Sequence, residues 1–77
     1  MKVKVEIVGL LHIKGIKSNS FVEITEGSVI SDLYNELKIL KDHQKFIIPF
    51  INGSEVRKSA QVSDGDTVKI FLPTGGG

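Results

Sequence analysis

Lys2 to Val8 alternates strictly, with Val3, Val5 and Ile7 on one side and Lys2, Lys4 and Glu6 on the other. A period of two fits a strand with one apolar face and one wet face, so a half-buried strand is predicted here. Gly9 to Asn19 loses the alternation and mixes Gly9, Gly15, Ser18 and Asn19 with scattered apolar residues, which reads as an extended hairpin loop. Ser20 to Thr25 restores it, Phe21, Glu23 and Thr25 against Val22 and Ile24, until Glu26-Gly27 ends the strand. The period then changes. Val29, Leu33, Leu37 and Leu40 recur at spacings of four, four and three, one apolar stripe of a helix widened by Ile30 and Tyr34. Asp32, Asn35, Glu36 and Lys38 fall on the opposite side. Ser28 is the expected N-cap, with Ser31 and Asp32 near the positive end of the helix dipole, and the helix is expected to end near Lys41 or Asp42.

Lys45 to Ile51 is apolar on both faces, a strand whose second face is covered or forms a contact surface, and Pro49 inside it removes one ladder donor, which suggests a bulge or an unpaired position. Asn52-Gly53 is a strong tight-turn signal leading to a short strand, Glu55 to Lys58. Asp64-Gly65-Asp66 turns the chain into a last strand, Thr67 to Leu72, with Val68, Ile70 and Leu72 on one side and Lys69 and Phe71 on the other. The order strand, strand, helix, strand, short strand, strand predicts an α+β fold. A first hairpin, one main helix across a face and a closing strand parallel to the first make a β-grasp, or ubiquitin-like, roll with a mixed four- to five-stranded sheet. The expected division is a domain over residues 1–73 and a flexible glycine tail over 74–77.

Composition narrows the chemistry. Seventy-seven residues, 40% hydrophobic and 25% charged, suit one ordinary globular domain. A chain this short buries only about 60% of its unfolded surface, so nearly every element must feed the core. With no cysteine there is no disulfide, no thiol nucleophile and no thiolate metal site. Ten basic against nine acidic residues leave a charge of +1, with no polyelectrolyte pull toward nucleic acid or membrane. Lys2, Lys4, Glu6, Lys14 and Lys17 interrupt any signal-peptide block, and the longest apolar stretch, Phe46 to Ile51, falls far short of the about 20 residues of a membrane span. A monomeric cytoplasmic protein is expected.

No catalytic constellation is present. His12 and His43 lack carboxylate partners at ligand spacing and read as solvated side chains. Gly75-Gly76-Gly77 is followed by neither Lys-Ser/Thr nor a helix, so it is no phosphate loop. What stands out is the end of the chain. A strand, then Pro73, Thr74, Gly75, Gly76 and Gly77, puts a carboxylate on a thin stalk that can thread a tunnel where any Cβ would clash. Pro73 stiffens the base of that stalk. Phe71, outward by parity, and Lys69 beside it are expected to join Ile47 and Ile51, or Phe46 and Phe50, in an apolar docking patch at the root of the tail. The competing reading has Leu10-Leu11 folded over that patch.

Three short segments together carry a resemblance. Phe50-Ile51-Asn52-Gly53-Ser54-Glu55-Val56, Asp64-Gly65-Asp66-Thr67-Val68-Lys69-Ile70-Phe71 and Gly27-Ser28-Val29-Ile30-Ser31-Asp32-Leu33 resemble the small ubiquitin-like sulfur carriers. That family includes the small subunit of molybdopterin synthase, the carrier of thiamine thiazole synthesis and archaeal ubiquitin-like modifiers. The resemblance implies that an adenylating enzyme of the ubiquitin-activating type activates Gly77 with ATP, and that a persulfide donor converts it to a thiocarboxylate. A sulfur-accepting synthase subunit would then take the sulfur, for molybdopterin-type or thiamine cofactors or tRNA thiolation. The chain would be a cosubstrate that binds no cofactor itself, not an enzyme. The reactive pair is Gly76-Gly77, or Gly75-Gly76 after trimming. Leu72-Pro73-Thr74 keeps Phe71 and one proline of the Phe-x-Pro-Pro pattern of the molybdopterin branch. Two other functions share these features: a modifier joined through Gly77 to lysines of other proteins, and a non-covalent interaction domain whose tail is incidental.

Overall fold

The computed structural model describes residues 1–9 and 20–72. Five strands, β1 (Lys2–Gly9), β2 (Ser20–Glu23), β3 (Ile48–Ile51), β4 (Ser54–Glu55) and β5 (Thr67–Leu72), form one sheet in the order β2-β1-β5-β3-β4. The two central strands, β1 and β5, run parallel, and every other pairing is antiparallel. Between β2 and β3 lie two short helices, α1 (Ile30–Glu36) and α2 (Lys41–Gln44). This is the mixed sheet with one main helix that the alternation and the single apolar stripe predict.

The core follows from parity. Val3 and Val5 of β1 and Val68 and Ile70 of β5 are fully buried, as are Ile30 and Leu33 of α1. Val5 lies beside Val68 and Ile7 beside Ile70, so one face of the central pair is a continuous apolar surface for α1. Burying one such side chain is worth about 1.5–3 kcal/mol relative to leaving it in water. The opposite face of the same strands carries Lys4, Glu6, Lys69 and Phe71.

The helix is shorter than its stripe suggests. Val29, not Ser28, is the N-cap, and the Asp32 carboxylate accepts its N–H at 2.9 Å. Ser28 instead closes the preceding turn, its hydroxyl donating to the Thr25 carbonyl at 2.6 Å. At the other end Lys38 adopts φ 60°, a left-handed conformation normally given to glycine. Its N–H donates to the Asn35 carbonyl and the Ile39 N–H to that of Tyr34, the paired bonds of a Schellman cap. The chain therefore leaves the helical path two residues before Leu40. Ile39 is buried in its place, and Leu40, expected in the core, is 65% exposed.

Strand β3 also begins later than expected, because Lys45 and Phe46 complete the turn after α2. Pro49 causes no bulge, for the register with β5 runs unbroken from Ile48↔Phe71 to Ile51↔Val68. The Asn52 N–H donates to the Thr67 carbonyl at 2.8 Å. Alternation along an antiparallel ladder then places Phe50 and Ile48 in bonded pairs with β5 and Pro49 in a non-bonded one. The missing N–H falls on the β4 side, where the ladder is already ending and the Val56 N–H closes onto the Pro49 carbonyl at 3.0 Å. The loop expected over Gly9 to Asn19 lies outside the described residues beyond Gly9, and so do Pro73 to Gly77.

The two turn motifs meet. Asn52 (φ 51°) and Gly53 (φ 89°) both have positive φ, the signature of a type I′ hairpin turn between β3 and β4. The Asn52 amide donates to the Asp66 carboxylate at 3.0 Å and its side-chain oxygen accepts from the Thr67 N–H at 2.9 Å. Asp66 also accepts from the Ser63 N–H, and Asp64 from the Lys2 N–H at 2.7 Å. A knot of polar groups thus fastens the start of β5 to β1 and to the β3–β4 turn.

Candidate functional site

Strand β5 enters at that knot and runs to Leu72, whose neighbour on β1 is Gly9. The root of the tail is therefore at the opposite end of the sheet from the knot. On the face away from α1, Phe71 lies between Val8 of β1 and Ile48 of β3. One step back, Lys69 lies between Glu6 and Phe50. Val8 is 40% exposed, and Phe71, Ile48, Phe50 and Lys69 are half-buried against one another. The Lys69 ammonium stands 5.9 Å from the centre of the Phe50 ring, a cation–π contact worth about 0.5–1 kcal/mol at an exposed site. Four apolar side chains from three strands, with one cation at their margin, make a continuous apolar surface ending at the tail root.

Phe71 and Lys69 are on the outer face, where strand parity predicts them. Ile47 and Ile51 are not. Ile47 is buried in the core and Ile51 packs against it. Pairing decides this: Ile51 lies opposite the inward Val68, which forces Ile48 and Phe50 outward opposite Phe71 and Lys69. Of the other pair considered, Phe50 joins the patch, while Phe46 precedes β3 and is 61% exposed. Val8 and Ile48 also belong to the patch, beside Phe71. Val8 continues the polar face of β1 by parity, so the alternation contained a signal; Ile48 needed the β3–β5 register, which one chain's pattern does not supply. Pro73, Thr74, Gly75, Gly76, Gly77, His12 and the Leu10-Leu11 segment lie outside the described residues.

Among the described residues no catalytic groups are assembled around the patch. Among the described residues no three His, Asp or Glu side chains are placed to hold a metal ion, and His43 is exposed on α2. No helix among them is long and apolar enough to cross a membrane. Among the described residues Tyr34 has the one strongly displaced ionisation, raised by burial well above the ordinary phenol value of 10.0. It is on the other side of the sheet.

The sequence model of the ThiS family matches residues 10–77. No curated protein matches the chain. Among solved structures, SAMP1 from Haloferax volcanii superposes with a TM-score of 0.75 at 18% identity, covering 100% of each chain. The Pyrococcus furiosus protein named as a molybdopterin converting factor, subunit 1, gives a TM-score of 0.71 at 28% identity, over 95% of this chain and 98% of that one. A chain from the complex of subunits 1 and 2 of the Helicobacter pylori molybdopterin-converting factor gives 0.66 at 22% identity, over 100% of both. The β-grasp architecture is common to all of them, with the mixed five-stranded sheet described above.

Proposed function

Because the chain belongs to the ThiS family, we propose that it is a sulfur carrier whose terminal carboxyl, on Gly77, is adenylated and then converted to a thiocarboxylate. The observation that carries this reading is the family match itself, which runs through the glycine tail to residue 77. The carboxylate oxygen attacks the α-phosphorus of ATP, and pyrophosphate leaves. The resulting anhydride exchanges a poor leaving group, hydroxide, for AMP, so hydrosulfide can attack the carbonyl at neutral pH and release AMP. The adenylating enzyme, of the ubiquitin-activating type, supplies ATP and catalysis. The chain supplies the carboxyl group, the stalk and a surface to hold, and is a cosubstrate in the cytoplasm.

The surface proposed for that enzyme is the patch of Val8, Ile48, Phe50 and Phe71, with Lys69 at its edge. An apolar anchor beside the tail root fixes where the stalk starts, and a stalk without side chains from Gly75 to Gly77 can follow a narrow channel to the nucleotide. The likeness to a subunit 1 of a molybdopterin converting factor favours a larger synthase subunit as the sulfur acceptor, ahead of thiamine synthesis or tRNA thiolation.

The absence of cysteine gives a clean test. The full chain is incubated with ATP, a matching activating enzyme and sulfide, treated with a thiol-alkylating reagent and weighed intact. An alkyl adduct mapping to the C-terminal peptide establishes the thiocarboxylate. An adenylate or a lysine conjugate without that adduct replaces the carrier with a modifier. Neither product, with an enzyme proven active on another carrier, leaves a non-covalent interaction domain.

A further inference from the structure

The core side of the sheet has a second surface, which meets the apolar patch only at Ile48. Between α1, α2 and the β3–β4 edge lies an open cleft of about 810 Å³. Tyr34 and Pro49, both buried, form its apolar floor. Lys41 and Lys45 stand on the α2 bank and Arg57 and Lys58 on the other, while Glu55 is the one acid among its described lining residues. Lys45 reaches Asp42 at 3.9 Å across open solvent. The side chains of Lys41, Arg57 and Lys58 make no ion pair or hydrogen bond with any described residue. Like charge gathered on two banks of one groove, with Glu55 the one acid in its described lining, raises the local concentration of anions. The Tyr34 hydroxyl is itself buried, without a hydrogen-bond partner among the described residues, so it offers an occupant of the cleft no polar contact.

The form of the anion follows from what the cleft lacks. The first N–H groups of α1 are already taken, Ile30 by the Ala60 carbonyl and Ser31 by that of Lys58. None of the positive-φ glycines, Gly27, Gly53 or Gly65, lines the cleft. Neither the start of α1 nor a positive-φ glycine therefore offers a backbone cradle for a phosphate here. Cations at the ends of exposed side chains on opposite banks, over an apolar floor, suit an extended occupant with carboxylates on both sides and one apolar side chain between them. We propose that this cleft is a docking site for an acidic segment of a partner protein, whose apolar residue lies over Tyr34 and Pro49 and whose carboxylates meet Lys41 on one bank and Arg57 and Lys58 on the other. The proposal is independent of what happens at Gly77.

The probe is a fluorescein-labelled peptide, Glu-Asp-Glu-Leu-Glu-Asp-Glu, titrated with the full chain at low ionic strength and followed by anisotropy. Saturable binding is expected, weakened roughly tenfold or more in the double variant Lys41→Glu, Arg57→Glu. The double variant Lys2→Glu, Lys4→Glu makes the same change in net charge on β1, away from the cleft, and should bind as the parent does. All four positions are at the surface, and matching thermal melts show that each variant is folded; Lys58→Ala is the milder cleft variant and should weaken binding several-fold. Exchanging the peptide leucine for serine should also weaken binding, since the floor is apolar. Three results would overturn the proposal: no saturation at millimolar protein, equal loss in both double variants, or displacement by tripolyphosphate at lower concentration than by unlabelled peptide.

Discussion

The two ends of β5 are built from different chemistry. At its start every side chain that matters is polar and paired: Asn52 both donates and accepts, Asp66 receives two hydrogen bonds, and Asp64 receives the Lys2 N–H. At its end the neighbours are Val8, Ile48 and Phe71, and apolar contact replaces the hydrogen-bond net. Yet the Asn-Gly and Asp-Gly-Asp motifs, two of the three segments that carry the family likeness, belong to the first end. They are recognisable because a type I′ turn and a side-chain knot each admit few residue types. The surface proposed for a partner is constrained only to be apolar and is harder to recognise. In this molecule the legible motifs describe how the strand is held, and the chemistry proposed for the chain belongs to its other end.

The sharpest break of that contrast is deletion of Gly77. Adenylation should fall to background, a loss of about a hundredfold or more, since the reacting carboxyl is displaced by a residue's length. The thermal midpoint should not move. A deletion variant that is still adenylated at an appreciable rate would put the reactive end one residue earlier; one that melts lower would tie the tail to the fold.

Next in size is Phe71→Ala. Truncating an aromatic anchor in a docking patch commonly costs about 2 kcal/mol of binding, so the KM of the activating enzyme for the carrier should rise roughly tenfold or more, with kcat little changed. Ile48→Ala should act in the same direction and less strongly. Ile51→Ala is the control, because Ile51 faces the core: it should lower stability and leave KM alone. An Ile51 variant that is stable but weakly bound would restore the face assignment that the β3–β5 register overturns.

The other end answers to a different assay. Asp66→Ala removes the acceptor of the Asn52 amide and of the Ser63 N–H and should cost about 1–3 kcal/mol of stability. For a domain of this size that is a fall in Tm of several degrees per kcal/mol, read by thermal melting. Adenylation per folded molecule should be unchanged. A loss of activity without a loss of stability would move function to the knot and end the contrast.

How much of this was open to sequence reading follows the same division. The faces of β1 and β5 were legible because alternation is local and strict: Val3, Val5, Val68 and Ile70 are all buried. The end of α1 was not, because Lys38 in a left-handed conformation leaves no trace in the apolar stripe, which continues in sequence to Leu40 after the helix has stopped. The faces of β3 were ambiguous because both are apolar, and only its pairing with β5 decides between them. Of the candidate site, Phe71 and Lys69 were readable, Ile48 was a matter of register, and the cationic cleft, drawn from α2 and the segment after β4, is assembled only by the fold.

Tyr34 tests the converse of the knot and should give the smallest effect. If paired polar groups stabilise the start of β5, a buried polar group without a partner should contribute nothing or detract. Tyr34→Phe keeps the ring in the core and removes the orphan hydroxyl, so at pH 7 stability should be unchanged or higher by about 1 kcal/mol. The pH dependence gives a second reading. Burial raises the ionisation of this phenol above the ordinary 10.0, so the folded chain keeps a proton that the unfolded chain gives up. The contribution is therefore fully present below the unfolded value and is lost as pH rises above it toward the folded one. Parent stability should fall with alkaline pH above about 10, and the phenylalanine variant should lack that component. Tyr34 is the only tyrosine, and there is no tryptophan, so near-ultraviolet tyrosinate absorbance reports it alone. In the parent that absorbance should appear only with unfolding. Its appearance near pH 10 in a folded chain, or a variant less stable than the parent, would mean that the hydroxyl has an unrecognised partner and that it is paired like the polar groups of the knot.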